Sequence, residues 1–137
     1  MVKEVIHDPI LLGIPSQPAT AEDLQTARDL LDTLIANKEA CVGMAANMIG
    51  TPKRIIVFDN GGAYMTMLNP ELLKTADPYD TQESCLSLLG GPRPCRRYGT
   101  IKVRWQNEQL QTRIKTFTGW PAQIIQHELD HCNGILI

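Results

Sequence analysis

The chain has 137 residues, the size of a single domain (1–137), and can bury roughly two thirds of the surface that its unfolded form exposes. Its 13 basic and 15 acidic residues give a formal charge of -2, which excludes the basic footprint of a nucleic-acid or acidic-membrane binder and leaves small molecules and peptides as partners. No stretch approaches the ~20 apolar residues of a membrane-spanning helix, and the first residues lack a signal peptide's apolar core, so we expect a cytoplasmic protein. The four cysteines form no C-x-x-C pair and should be thiols, and the composition leaves the oligomeric state open.

The first third of the chain predicts an arm followed by a helix. Residues 1–18 contain three prolines and a glycine, which indicates an extended arm. We expect the arm to pack through its apolar side chains, Ile10, Leu11, Leu12 and Ile14. Thr20 and Asp23 then form a variant of the capping box, and apolar residues recur on one face across 20–38. This pattern predicts an amphipathic helix.

Residues 41–50 are rich in small side chains where a core element would carry bulk. One interpretation is the end of a helix followed by a glycine-rich turn. The other is a segment that a ligand or another backbone approaches closely, for which Gly43 is suited.

The middle of the chain predicts antiparallel strands. A strand over 54–59, the turn Asn60-Gly61-Gly62 and a strand over 64–68 should form a hairpin that ends at Asn69-Pro70. We expect a polar loop after it and a second loop over 90–97. Alternating residues then predict strands over 100–106 and 110–117, a helix follows, and 135–137 suggests a last short strand. The fold class is α+β, with antiparallel strands packed around a C-terminal metal-binding helix.

His127 and His131 on the last helix are the strongest chemical signal in the chain. Residues four apart lie on one helical face, so the two imidazoles can clamp one metal ion. Glu128 lies beside the first histidine, in the general-base position of the H-E-x-x-H pattern. The competing interpretation is a solvated helix end, but apolar residues flank the histidines and indicate a buried face, where unsatisfied imidazoles are costly.

A catalytic metal usually has three protein ligands, so a third must come from elsewhere in the chain. The candidates are the cysteines, His7 and nearby carboxylates: Cys41, Cys85, Cys95, Cys132 and His7. Cys132 directly follows His131 on the helix and points about 100° away from it. Cys85, in a short segment between predicted strands, is the better candidate, although spacing alone leaves the choice open.

Three segments in this order resemble the signature motifs of the peptide deformylase family. They are Gly43-Met44-Ala45-Ala46, Glu83-Ser84-Cys85-Leu86-Ser87 and Gln126-His127-Glu128-Leu129-Asp130-His131. Asn69-Pro70-Glu71, Arg97 and Gly134-Ile135-Leu136 extend the similarity over nearly the whole chain. The resemblance implies one divalent metal ion, usually Fe²⁺ in the cell with Zn²⁺, Ni²⁺ or Co²⁺ as substitutes, held by Cys85, His127 and His131.

The same resemblance implies hydrolysis of the formyl group on the N-terminal methionine of nascent peptides. Glu128 would take a proton from water and give it to the leaving amine. The oxyanion would be held by the metal, by the backbone N–H of Leu86 and, in the family, by a glutamine side chain. The substrate side of the site would comprise Val42, Gly43, Met44, Arg97, Trp120 and Ile124. Trp120 has two interpretations: it narrows the methionine pocket, or it packs in the core.

The sequence departs from the family pattern at three positions. The motif glutamine is replaced by Met48, whose thioether cannot donate a hydrogen bond to an oxyanion. Cys41 and Ser84 replace glycines of the first and second motifs. Loss of a single oxyanion donor typically costs ~10²–10³ in turnover.

Three functions are compatible with these residues. The first is a deformylase, or a related amidase acting on another N-acylated substrate, for which the intact ligands and Glu128 argue. The second is a metal-binding paralogue with weak or no deformylase activity, such as a peptide-binding module, for which Met48 argues. The third is a metalloprotease that shares only the helix pattern, but it leaves the Cys85 segment unexplained.

Overall fold

The computed structural model describes residues 1–85 and 91–137 and confirms the α+β class. The α-helices are α1 (Pro9–Leu12), α2 (Leu24–Ala36) and α3 (Gly119–Cys132), and short 3₁₀ helices cover Ala21–Asp23 and Ala46–Ile49. The strands are β1 (Gly43–Ala45), β2 (Ile55–Asp59), β3 (Tyr64–Glu83), β4 (Arg93–Gln106) and β5 (Thr112–Thr118). They form one antiparallel sheet in chain order. Within these residues we find no helix with the length and apolar character needed to cross a bilayer.

Strand β2 is covered on both faces of the sheet. Ile56 and Phe58 pack with Ile125 and other residues of α3, and the alternate β2 residues pack against α2 in a second cluster with Leu30 and Leu34. Successive strand residues point to opposite faces. This double burial explains why β2 reads as an uninterrupted apolar run rather than an alternating one.

The predicted hairpin of 54–59 with 64–68 is confirmed as β2 and β3, but the expected strand end at Asn69-Pro70 is wrong, because β3 continues and forms a long hairpin arm with β4. The register shifts between Leu68 and Glu71, where the proline falls, and pairing then continues to Glu83 opposite Arg93. A bulge accommodates a proline because it leaves residues out of the ladder. Asn69 has φ 53°, and its amide bonds the backbone of Ala19, accepting from its N–H at 2.7 Å. The polar loop predicted after Asn69-Pro70 is therefore strand up to Glu83, and the loop predicted over 90–97 is strand from Arg93 onwards.

The two chain ends also differ from expectation. The N-terminal arm contains α1, whose cap is Asp8, and only Leu12 of its four predicted packing residues is buried. The capping box of Thr20 and Asp23 is confirmed, although the first turn is 3₁₀ and α2 ends at Ala36. Residues 135–137 do not form the predicted strand, since the chain turns at Gly134 and packs against the α1 segment instead of reaching a sheet edge.

Gly134 is expected to tolerate substitution poorly, and Gly61 is a matched control. Both have nearly the same φ, +74° and +73°, but a Cβ on Gly134 would lie 2.5 Å from the carbonyl oxygen of Gly13, whereas one on Gly61 meets nothing within 4 Å. Gly61→Ala should cost about 1–2 kcal/mol of unfolding free energy from backbone strain alone. Gly134→Ala should cost clearly more, measured by urea unfolding with the slopes compared. Equal losses would show that the contact with Gly13 adds nothing.

Candidate active site

The inner face of α3 carries polar groups that are almost fully withdrawn from solvent. His127, Glu128 and His131 are 8%, 3% and 4% exposed, and they share the helix with the core residues Ile125 and Leu129. The rings of the two histidines lie 4.5 Å apart between centroids. Burial of three ionisable groups on one helix requires partners for each of them.

Cys85 reaches this face from the end of the long hairpin arm. It lies two residues beyond Glu83, the last residue of β3. One ligand atom from each of Cys85, His127 and His131 lies within 4.8 Å of the others. One sulfur and two imidazole nitrogens form a donor set suited to a tetrahedral Zn²⁺-type or Fe²⁺ site with one open position. The three residues therefore fit a divalent ion.

The electrostatics of the cluster favour the ligand form of the thiol. Burial raises the pKa of Cys85, but hydrogen bonds with His127 and His131 outweigh burial and lower this pKa to about 7. Burial lowers the pKa of His127, but its contacts with Cys85 and Glu83 raise that pKa to about 9. Both pKa shifts favour a thiolate beside a protonated ring, so metal binding would release protons from the cluster.

Glu83 orients the first histidine. Its Oε1 lies 2.7 Å from Nδ1 of His127, and its other contacts come from Arg97 at 2.7 Å and from Nε2 of Gln123 at 2.8 Å. Arg97 in turn binds Asp130 at 2.7 Å. Burial raises the pKa of Glu83, but the bonds from His127, Arg97 and Gln123 lower it to about 2, so the residue is a carboxylate. A carboxylate on Nδ1 leaves Nε2 of His127 as the nitrogen available to a metal ion.

Glu128 sits beside the second histidine in a space that a glycine leaves open. Its Oε1 lies 3.0 Å from Nδ1 of His131, whose Nε2 lies 3.4 Å from the carbonyl oxygen of Ile137. A Cβ on Gly43 would lie 2.7 Å from Cγ2 of Ile124 and 3.0 Å from Oε2 of Glu128. Such distances leave no room for a side chain, so Gly43 allows β1 to approach α3 where Glu128 projects.

A cleft of about 540 Å³ opens onto this cluster. Val42, Trp120 and Ile124 form its apolar wall, and Cys85, His127 and Glu128 reach it from the candidate metal site. Trp120 is 57% exposed, so the interpretation that it packs in the core is wrong. The cleft is apolar on one side and ionisable on the other, as expected for a small ligand with one reacting polar group.

The remaining predicted residues lie away from the cleft lining, as far as the described residues define it. Met44 is fully buried, and Arg97 is buried between Glu83 and Asp130. Met48 is buried, and its Sδ accepts the N–H of Ala45 at 3.5 Å. Leu86 lies outside the described residues.

Sequence reasoning missed the roles of Glu83 and Gln123. Glu83 stands two residues before Cys85 within the second motif, and Gln123 lies four residues before His127 on the same face of α3. The helical spacing was a usable signal for Gln123. No local pattern pairs Glu83 with His127, because 44 residues separate them.

Comparisons with known proteins agree with this geometry. The family model described as polypeptide deformylase matches residues 4–137. A peptide deformylase from Clostridium beijerinckii is 49% identical over 137 residues, covering 100% of both chains. The solved peptide deformylase from Thermotoga maritima is 28% identical with a TM-score of 0.88, covering 99% of this chain and 95% of that one. A Met-Ala-Ser-bound class I type b peptide deformylase from Acinetobacter baumannii has the same TM-score and identity and covers 99% and 97%.

Fold, donor set and cleft thus describe a metal-dependent hydrolase. Within that class the match extends over residues 4–137 and, for one relative, over the full length. The chain belongs to the peptide deformylase family.

Gly43→Ala should lower the rate of deformylation because the added methyl displaces Glu128 or Ile124. Gly99→Ala is the matched control, since a Cβ there has its nearest contact at an ordinary 3.4 Å, with Cβ of Asp77, on the same sheet. The measurement is formate release from a formyl-Met peptide at equal metal loading. A Gly43→Ala enzyme as fast as the Gly99→Ala enzyme would show that Glu128 does not need this space.

Glu83→Gln should weaken metal retention by about 10–100-fold, because the neutral amide no longer holds the charge and orientation of the His127 ring. Glu71→Gln is the matched control: Glu71 is on the same strand and pairs with Arg104 on the surface, with 57% of its side chain exposed. Metal transfer to a chelator of known affinity measures the effect. Equal transfer rates for both variants would contradict the role of Glu83.

Proposed function

We propose that Cys85, His127 and His131 hold one divalent metal ion and that Glu128 moves the proton when the enzyme removes the N-formyl group from the N-terminal methionine of nascent peptides. Family membership supports the reaction. The clustering of the three donor atoms within 4.8 Å, next to a buried carboxylate and an open cleft, supports the residue roles. We propose Fe²⁺ as the ion in the cell, with Zn²⁺, Ni²⁺ or Co²⁺ as substitutes, and the cytoplasm as the place of the reaction.

The ion, when bound, supplies Lewis-acid polarisation of the formyl carbonyl and of water. Glu128 accepts a proton from the attacking water and returns it to the methionine nitrogen as the C–N bond breaks, so formate and a free amine leave. Its position 3.0 Å from the His131 ring, at the cleft, supports this shuttle. Glu83 keeps the His127 ring in one orientation throughout, because its carboxylate remains ionised.

The apolar wall of the cleft is the proposed site of the methionine side chain. Val42, Trp120 and Ile124 line it, and Gly43 offers backbone beside the reacting group. The Met-Ala-Ser complex of the Acinetobacter baumannii enzyme supports a peptide as occupant. Met44 and Arg97 are buried and would not contact the substrate directly. Arg97 would act through its bonds to Glu83.

A second candidate function is a metal-binding paralogue with weak deformylase activity or another N-acylated substrate. The observation that favours it is Met48, whose sulfur already accepts the N–H of Ala45 and offers no donor. The proposed oxyanion donors are then the metal and the backbone N–H of Leu86. A metalloprotease is disfavoured, since the family match includes the Cys85 segment.

The iron- or nickel-loaded protein, kept anaerobic, should release formate from formyl-Met-Ala-Ser, and chelation should stop release until metal is restored. Glu128→Ala should lose at least ~10²-fold in rate because its proton shuttle is gone. The metal content of both proteins is measured to confirm equal loading. Wild-type turnover no faster than that of Glu128→Ala would exclude the proposed reaction and leave the binding paralogue.

Met48→Gln should raise formate release by ~10²–10³, since it adds one side-chain donor of the kind that holds an oxyanion. Met48→Leu is the control: it keeps a buried apolar side chain and should leave the rate near that of the wild type. Both variants are compared for kcat with formyl-Met-Ala-Ser. A Met48→Gln rate equal to that of Met48→Leu would mean that the site does not lack this donor.

A further inference from the structure

The C-terminal end of α3, which carries His131, is held by distant parts of the chain. The last carbonyls of a helix lack partners within the helix. Here the carbonyl of Cys132 accepts the backbone N–H of Ser16 at 2.8 Å. The carbonyl of His131 accepts twice, from the N–H of Gly134 at 3.0 Å and from Nδ2 of Asn47 at 3.0 Å. One of these donors, Asn47, is a side chain whose chemistry can be changed.

The Asn47 side chain forms its hydrogen bonds through its amide nitrogen. It is 3% exposed, and Nδ2 faces two acceptors, the carbonyl oxygens of His131 at 3.0 Å and of Leu12 at 3.4 Å. If the amide were flipped, Oδ1 would face the carbonyl oxygens of both His131 and Leu12, so the repulsion between oxygens fixes the orientation of the amide. Its Oδ1 has no hydrogen-bond partner among the described residues. A buried amide with an unpaired oxygen is costly unless the nitrogen contributes something an apolar residue cannot.

Asn47 also belongs to the segment that accommodates Glu128. It lies in the 3₁₀ helix Ala46–Ile49, which directly follows β1 and its Gly43. Gly43 leaves the space that the Glu128 carboxylate occupies, and four residues later Asn47 bonds the backbone of His131. The segment 43–47 therefore contacts α3 at both the proposed acid/base and a proposed ligand.

We propose that Asn47 is a positioning residue of the metal centre, acting through the main chain of His131; the inference rests on the ligand set given under the proposed function. Without the amide, the helix end loses its side-chain hydrogen bond to the 3₁₀ helix that follows β1, and the His131 ring loses part of its placement. Metal–ligand distances tolerate only about ±0.2 Å, so small shifts of the ring matter. Asn47 does not line the cleft, as the described residues define it, so substrate binding should be unaffected.

The test uses the full-length protein loaded with Co²⁺, in three forms: wild type, Asn47→Ala and Ser16→Ala. Ser16 is the matched control, since it is also buried at this helix end but bonds Cys132 through its backbone, and its Oγ has no partner among the described residues. The readouts are the thiolate-to-cobalt and ligand-field absorption, the rate of Co²⁺ transfer to a chelator, and kcat and KM. Urea unfolding of the metal-free proteins measures stability separately.

Asn47→Ala should shift the ligand-field absorption, speed cobalt loss by roughly tenfold and lower kcat with KM unchanged, while Ser16→Ala matches the wild type. Unchanged absorption and cobalt loss in Asn47→Ala, with only weaker unfolding, would overturn the inference and leave the ligand set intact. Wild-type protein without thiolate-to-cobalt absorption would instead overturn the ligand set itself. If Asn47→Ala does not fold, Asn47→Ser decides alone: its hydroxyl is too short to reach the His131 carbonyl, so an altered spectrum supports the inference and an unaltered one overturns it.

Discussion

The contact between Glu83 and Nδ1 of His127 is the constraint on which the site depends. A helix cannot bury two imidazoles and a carboxylate on one face unless other elements supply partners, and this bond is the first of them. Arg97 can lie beside Glu83 with only 5% of its side chain exposed because Asp130 shares its charge. The carboxylate thus binds the ring, and the guanidinium binds the carboxylate. Removal of Glu83 would leave the His127 ring without its partner at Nδ1 and the buried Arg97 guanidinium with Asp130 alone, so Glu83 is the member that joins the network.

Two parts of the sheet supply the side chains and the space that the polar face of α3 needs. The long β3–β4 arm brings Glu83, and Cys85 just beyond it, to the helix from the far end of the hairpin. The short edge strand β1 approaches α3 from the other side, and it can come this close because Gly43 has no side chain. The cleft lies between these two approaches, so its position follows from strand length and from one glycine. Both are backbone features, and they place the ionisable groups at the end of an apolar wall.

Two of the three departures from the family pattern, Cys41 and Met48, flank β1, and the third, Ser84, lines the cleft beside Cys85. Met48 is turned into the core, and the Cys41 thiol, whose pKa burial raises to about 12, donates to the carbonyl of Gly43 at 2.7 Å. Cys41 is therefore a neutral thiol beside the cleft, distinct in charge from Cys85 with its pKa of about 7. Cys85, His127 and His131 present a donor set that fits a divalent ion, while a glycine and the glutamine of the first motif are replaced by sulfur-containing side chains.

The sequence by itself determined the elements whose signals are local: the capping box at Thr20, the apolar run of β2, and the helical spacing that places His127 above His131. The resemblance to the family also pointed to Cys85, which the structure places beside His127 and His131. Tertiary structure decided the rest. β3 continues past Pro70 because β4 pairs with it, and Glu83 meets His127 although 44 residues separate them. The periodicity of apolar residues indicates which face of a helix or strand each side chain occupies. Strand register and buried ion pairs depend on residues distant in the chain, and a local sequence pattern does not identify those residues.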